Sequence, residues 1–462
     1  MKKKLNFKNS NKIYKTALKI IPYGSQTYSK GVKAFSDGVS PKFLAKGSGC
    51  EVWDVDGNKY IDYVMACQPL ILGYADQDVN NAVNKQLKLG STFSISNELE
   101  VDVAKLLIKH IPGAESARFG KNGADATSIA VRLSRAITKR DHVAFCGYHG
   151  WHDWFVGTTD LNAGIPKFNN QLAHSFSYND IHSLEKIFKK FKNKIACVIM
   201  EPITVAGPKS GPHGSTKWID FDSRKNFLVD VKEICKKNGA LLVFDEVVTG
   251  FRYDMGGAQK MYSIKPDLAC FAKAMSNGIP ISAITGKKEY MKYLETTFFS
   301  FTYGGDCIGL AAAKACINKL EKKNVIDHLY KVGKRLKDGM NDLIKLYELY
   351  DLLECSGYPC RTVMTIKNYK NYKKPLITKS LIQQELMVRG VLWSQYHSIS
   401  YAHKNKHIDK TLNAFEDSLK KIKKIIHSNK KFESFLLGKP CEAVFTRVAD
   451  FQSVATSQKV KI

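Results

Sequence analysis

Leu241-Leu242-Val243-Phe244-Asp245-Glu246-Val247-Val248-Thr249-Gly250-Phe251-Arg252 sets a run of four apolar residues against two adjacent acids. A continuous apolar run of this length suits a strand covered on both faces, as in a parallel sheet. A carboxylate at the end of such a strand is costly to bury unless it meets a cation or hydrogen-bond donors. A helix cap or a structural salt bridge would also satisfy it. Working outward, Ile195–Met200 is a second apolar run, and His142–Cys146 is a third, shorter one. Between the first two, Ser223–Asn238 has helical spacing and stops at Gly239, a residue suited to a helix C-terminus. Asp78–Leu89 and Glu98–His110 read as amphipathic helices. The alternation predicts an open α/β sheet.

Before this region, Glu51–Val55 and Lys59–Val64 flank Asp56-Gly57-Asn58 and predict a β-hairpin. After about residue 320, Lys-rich helices near 324–349 and 408–427 bracket short strands near Arg361–Ile366 and Gly390–Trp393, the pattern of a smaller α+β domain. The expected organisation is 1–75 as the N-terminal part of the small domain, 76–320 as the large domain, 321–429 as the rest of the small domain and 430–462 as a tail. A chain of 462 residues is long enough for a sizeable core without disulfide staples.

Composition narrows the class. Apolar residues make up 44% and charged residues 25%, ordinary globular proportions. The net charge of +28 invites a nucleic-acid reading. The excess, however, is carried by scattered lysines, including short runs at Lys189–Lys194, Lys420–Lys424 and Lys430–Lys431, rather than by arginine, the better bidentate phosphate reader. It reads as solvated surface, with no nucleic acid expected as partner. Eleven cysteines without a C-x-x-C pair argue against a zinc or Fe–S centre, so no metal is expected, and suit reduced thiols in the cytoplasm. Neither a signal-peptide core nor an apolar stretch long enough to span a membrane is present in the sequence.

Four motifs carry chemistry. Gly120-Lys121-Asn122-Gly123-Ala124-Asp125-Ala126 precedes a helix with apolar positions at Ile129, Ala130, Leu133 and Ile137. Asn122 suits an N-cap, and free N–H groups at a helix start bind anions. Gly147-Tyr148-His149-Gly150-Trp151 follows the strand ending at Cys146, beyond the carboxyl end where ligands of open α/β sheets bind. Asp245 ends its strand. Lys273, between apolar residues and the Gly278/Pro280 turn, would have a lowered pKa if desolvated and could act as an amine nucleophile. Each motif alone has an ordinary structural explanation. Together they supply an anion cup, an aromatic ring, a strand-end acid and a lysine, the parts that hold pyridoxal phosphate.

In this order the sequence resembles the class III aminotransferases among the fold-type-I pyridoxal-phosphate enzymes, which share the aspartate-aminotransferase-like fold. It is most similar to their glutamate-1-semialdehyde 2,1-aminomutase-like branch. The resemblance runs from about Ile20 to about residue 425. It is carried by Val55-Asp-Gly-Asn-Lys-Tyr-Ile-Asp-Tyr, Asn122-Gly-Ala-Asp-Ala, Tyr148-His-Gly, Met200-Glu-Pro, Asp245-Glu-Val-Val-Thr-Gly-Phe-Arg, Pro266-Asp-Leu and Thr302-Tyr-Gly-Gly. It implies a large, mostly parallel-sheet domain with a small α+β domain. It assigns Lys273 as the Schiff-base lysine and proton shuttle, and Asp245 as partner of the pyridine nitrogen. Tyr148 would stack on one ring face and Val247 would pack the other. Asn122, Gly123 and Ala124 would form the phosphate cup. Thr302 would reach the phosphate of a neighbouring subunit, which implies a homodimer with sites at its interface. His149 and Glu201 match positions near the cofactor.

The chain departs from that branch where its members touch substrate. Lys33, in Gly31-Val32-Lys33-Ala34-Phe35, stands where the aminomutases place an arginine, and Ser394-Gln395-Tyr396-His397 replaces a segment bearing a glutamate. The opening Ile20–Lys30 resembles aminotransferases of cell-surface polysaccharide and amino-sugar pathways. Tyr28, Ser29, Lys33, Trp151, His152 and His397 are therefore the expected acceptor contacts. The leading expectation is an aminotransferase that takes an amino group from an amino acid to a keto or aldehyde acceptor, with a sugar derivative as candidate. The alternatives are an aminomutase forming 5-aminolevulinate and a basic binding protein that has lost catalysis.

Overall fold

The computed structural model describes residues 5–205, 207–208 and 226–443. Within these, residues 77–326 form one compact unit, and residues 5–76 together with 327–443 form another.

The first unit is built on a seven-stranded sheet. Its strands are β1 (Ser116–Gly120), β2 (His142–Cys146), β3 (Ala173–Ser175), β4 (Ile195–Met200), β5 (Leu241–Asp245), β6 (Leu268–Phe271) and β7 (Ser282–Gly286). Their order across the sheet is β1-β7-β6-β5-β4-β2-β3. The run from β6 through β3 is parallel, and β7 alone runs antiparallel to both of its neighbours. Every residue of β4 and β5 is buried, as the unbroken apolar runs predict for a sheet covered on both faces. β5 extends one residue beyond the apolar run, through Asp245 itself.

Helix α1 (Gly123–Thr138) lays Ala126, Ile129, Ala130 and Leu133 on the sheet against Val143, Phe145, Ile199 and Val243, with Ile137 packed alongside. Burying each large aliphatic side chain there contributes about 1.5–3 kcal/mol. Helix α2 (Phe227–Asn238) starts four residues later than its periodicity predicts. The Asn226 side chain accepts from the N–H groups of Leu228 and Val229 and sets the first turn there, while the expected residues 223–225 lie outside the described chain. Its C-terminus behaves as expected, with Gly239 left-handed at φ 61°. Helix α3 (Cys307–Lys322) is capped by Asp306, which accepts from Ile308 and Gly309 N–H.

In the second unit, Glu51–Asp54 and Lys59–Asp62 form the expected antiparallel hairpin. Leu44–Ser48 extends it on one side and Val391–Leu392 pairs in parallel on the other. A three-stranded antiparallel sheet joins Leu353–Tyr358, Arg361–Ile366 and Tyr396–Ser398. Long helices span Val325–Leu346 and Asn405–His427. A helix at Lys8–Ile20, whose lysines mask its amphipathic spacing, escapes the sequence reading. The described part of the tail packs back onto the unit. Glu442 N–H donates to Lys33 O, and Cys441 is buried against Ser380. Residues 444–462 lie outside the described chain.

Candidate active site

The carboxyl ends of β2, β4, β5 and β6 converge on one edge of the sheet, and four loops leave it there. Asp245 pairs in register with Cys270 of β6, and Glu246 N–H donates to Cys270 O at 2.9 Å. Lys273 follows three residues beyond Cys270, so neighbouring parallel strands bring the acid and the lysine to the same sheet edge. Lys273 itself opens a short 3-10 turn with φ 44°, a left-handed conformation that a non-glycine residue holds only under constraint from its surroundings.

Asp245 is 4% exposed. Its Oδ2 lies 2.7 Å from His149 Nδ1, and its Oδ1 accepts from Val247 N–H at 3.1 Å. A carboxylate only accepts, so the His149 proton sits on Nδ1. The buried His149 Nε2 has no hydrogen-bond partner among the described residues. The His149 carbonyl accepts from Thr127 Oγ1 of α1 at 2.7 Å, which pins the loop to the helix.

That loop requires its glycines. Gly150, at φ 107°, passes so close to α1 that a Cβ would lie 2.6 Å from that of Ala124. At Gly147 a Cβ would meet the Glu201 carboxylate at 2.7 Å, and Glu201 Oε2 accepts Tyr148 N–H at 3.2 Å. The Tyr148 ring is left half-exposed, edge-on to Phe155. At the start of α1, Asn122 occupies the N-cap position, and the Asp125 carboxylate accepts from Lys121 and Asn122 N–H. The N–H groups of Gly123 and Ala124 have no acceptor among the described residues. A Cβ on Gly123 would come within 3.1 Å of the Val247 methyls. Asp245, Val247, Gly123, Ala124, His149, Tyr148 and Glu201 thus form one connected cluster.

Thr302 lies elsewhere in this unit, in an open groove of about 770 Å3 lined also by Phe93, Ile95, Arg118, Phe301 and Gly304. Trp151 is exposed, and His152 Nδ1 is 2.6 Å from Ser128 Oγ. Tyr28, Ser29, Lys33 and His397 belong to the other unit. Tyr28 is half-exposed, and Ser29 Oγ is 3.5 Å from Cys67 Sγ. Lys33 Nζ is 2.9 Å from the Glu442 carboxylate and lies over the Tyr23 ring. His397 is buried, with Nδ1 3.0 Å from Thr362 Oγ1, and burial pushes its imidazole down to about 3.

The sequence reading missed Glu246. It is fully buried, and its carboxylate accepts from Thr249 Oγ1, from Ala258 N–H at 2.8 Å and from Gln259 N–H at 2.9 Å. Burial pushes its carboxyl up to about 7. Gly257, at φ 74°, leaves it room, since a Cβ there would meet Oε2 at 2.4 Å. The two glycines at 256–257, eleven residues downstream of the two acids, were the sequence signal for this contact.

Comparison with known proteins agrees with the geometry. Residues 34–419 match the class III aminotransferase family. The chain is 33% identical over 432 residues to the 3-aminobutyryl-CoA aminotransferase of Cloacimonas acidaminovorans, covering 92% of this chain and 100% of that protein. It is 35% identical over 414 residues to the glutamate-1-semialdehyde 2,1-aminomutase of Persephonella marina, covering 85% and 94%. Among solved structures it superposes on the pyridoxal-phosphate form of the FumI protein of Sphingopyxis sp. MTA144 with a TM-score of 0.81 and 25% identity, covering 93% and 99%.

Proposed function

This chain belongs to the class III aminotransferases, enzymes that depend on pyridoxal phosphate, and we propose that it transfers an amino group from an amino acid to a keto or aldehyde acceptor. The observation that carries this reading is the buried Asp245, which keeps acceptor capacity after bonding His149 and Val247 N–H. The residues present fit the cofactor. Asp245 could meet its ring nitrogen, the N–H groups of Gly123 and Ala124 could take its phosphate, and Lys273 lies just past the end of the neighbouring strand.

When bound, the cofactor supplies an electron sink for the carbon that loses its proton. Asp245 would accept from the N–H of the cofactor's ring nitrogen, and His149 keeps Asp245 oriented. Gly123 and Ala124 would hold the phosphate at the positive end of α1. Tyr148 and Val247 would line the two sides of the ring. Lys273 would anchor the cofactor and serve as the positioned general base and acid for the substrate proton. Lys273→Ala should remove the visible absorbance band of the loaded enzyme, and an unchanged visible spectrum would overturn the role of Lys273.

For the acceptor we favour a sugar derivative. Lys33 replaces the arginine of the aminomutases, and a compact ammonium cannot offer a bidentate fork to a substrate carboxylate. Screening amino acids against the yellow enzyme for bleaching of that band identifies the donor, and a set of keto sugars then identifies the acceptor. A second reading, favoured by the 35% identity to an aminomutase, is intramolecular transfer on glutamate-1-semialdehyde. That substrate alone, without a second amino donor, would then yield 5-aminolevulinate.

We further assign a homodimer. Phe93, Ile95, Val101 and Phe301 are exposed along the groove that Thr302 lines, apolar side chains of the kind a subunit interface covers. Light scattering should give twice the 51.9 kDa chain mass. Eleven cysteines without a disulfide among them suit the cytoplasm. No helix among the described residues is long and apolar enough to cross a membrane.

A further inference from the structure

We propose that a cavity of about 400 Å3 behind the Asp245–His149 pair is a second ligand site, for a phosphorylated ring compound bearing hydroxyls. Its floor is one face of α1, since Ser128, Arg132 and Arg135 stand at i, i+4 and i+7. Its volume falls in the range of small-molecule sites.

The arginines set the ligand charge. Arg132 Nη1 donates to Phe298 O at 3.0 Å, and Arg135 Nε donates to Asp141 O at 2.9 Å. Each guanidinium is thereby held by a neutral backbone group, and neither has a carboxylate partner among the described residues. A guanidinium has five donors, so most of each fork remains for an oxyanion. Arginine is scarce in this chain, which draws its +28 mainly from lysine, yet two arginines share this one helix face. Lysine would supply charge but not the planar fork.

The opposite wall sets the rest of the ligand. Trp151 is 67% exposed at the rim and offers a flat face to a base or to the C–H face of a sugar. Asp153 and Asn169 supply acceptors for hydroxyls. Asp153 would repel a bare anion, so the phosphate belongs at the arginine end and the ring under Trp151.

The wall is rigid and joined to the cofactor cluster without being part of it. Trp154 Nε1 donates to Ser128 Oγ at 2.9 Å, and its ring stacks on His149 at 6.0 Å with planes 15° apart. The cofactor groups lie at the first turn of α1, whereas this cavity begins at Ser128, on the next turn.

Calorimetric titration of the cofactor-loaded enzyme at low salt tests the site with uridine monophosphate, glucose-1-phosphate and inorganic phosphate. One of the two ring phosphates should bind saturably and at least about tenfold tighter than inorganic phosphate. Tighter uridine monophosphate means that Trp151 stacks on a base, and tighter glucose-1-phosphate means that it covers a sugar. Arg132→Gln with Arg135→Gln should weaken that binding at least about tenfold while the visible cofactor band is retained, which shows that the variant is folded and loaded. Trp151→Ala should erase the preference over inorganic phosphate. Equal affinity for all three probes would mean an adventitious ion only. That result, no saturable binding, or binding unaffected by the arginine variant would each overturn the proposal.

Discussion

Glu246 in the sheet unit and His397 in the other unit are both almost wholly buried, and burial pushes them in opposite directions, the carboxyl up to about 7 and the imidazole down to about 3. Neither has an opposite charge among its hydrogen-bond partners in the described residues. Glu246 meets a hydroxyl and two backbone N–H groups, and His397 meets the Thr362 hydroxyl. Next to Glu246, Asp245 meets His149 and is held as one half of a pair. Adjacent acids on one strand end thus have different tasks. Asp245 points toward His149 and Val247, while Glu246 turns back to anchor the start of Gly257–Met261. Burial alone shifts an ionisable group toward its neutral form, as at Glu246 and His397, whereas a donor or an opposite charge works against that shift.

The largest expected effect follows from breaking the pair. Asp245→Ala leaves the buried His149 without its hydrogen-bond acceptor, a loss of about 1–3 kcal/mol. Thermal unfolding and retained visible absorbance should both fall sharply, and near wild-type turnover would contradict the role of Asp245.

Glu246 should impose a pH dependence of the opposite kind to that of ordinary carboxylates. Its folded pKa is raised, so the folded state holds the proton more tightly than the unfolded chain. The stability it contributes is present below about pH 4.5, the ordinary value, and is lost as pH rises through about 7. The stability of wild type relative to Glu246→Gln should therefore fall by at most about 3 kcal/mol between those limits, measured by urea unfolding at several pH values. A difference that is flat with pH would show that the carboxylate is ionised throughout.

His397 should act with the other sign. Its folded pKa is depressed, so its contribution is present above the unfolded value near 6.5 and is lost as pH falls toward about 3. Going from pH 7 to pH 5 should cost wild type about 2 kcal/mol that His397→Gln does not lose. Equal pH slopes for the two proteins would place a compensating charge beside the ring.

The smallest effect belongs to Lys33. Its side chain and that of Glu442 are each about half exposed, so solvent screens their ion pair and it stabilises the fold little. Lys33→Ala should barely move the melting temperature. An increase in KM for the acceptor without that thermal shift would separate substrate contact from structural support.

Much of the fold was legible before the structure. The apolar runs at Ile195–Met200 and Leu241–Phe244 became central strands because an unbroken buried run leaves few alternatives. The strands Ser116–Gly120 and Ser282–Gly286 escaped because Ser, Arg, Thr and Gly interrupt their apolar character. The helix at Lys8–Ile20 escaped because its apolar face is narrow among lysines. The expected cofactor residues fall largely in one connected cluster. The expected acceptor residues are spread over both units, and His397 is packed inside its unit rather than presented at a surface.

The sequence by itself determined what rests on contiguous residues: the α/β class, the helix that starts at Gly123, the strand-end acid and the lysine just past the following strand. Such motifs are local, because the chemistry needs those residue types within a turn or two of one another. Only the tertiary structure decided that Asp245 meets His149 across 96 residues of sequence. It also decided that Glu246 anchors a distant turn and that Arg132 and Arg135 share a cavity with Trp151. Those outcomes depend on burial and on which donors the folded chain brings within reach, and both are set by how the whole unit packs rather than by any one segment.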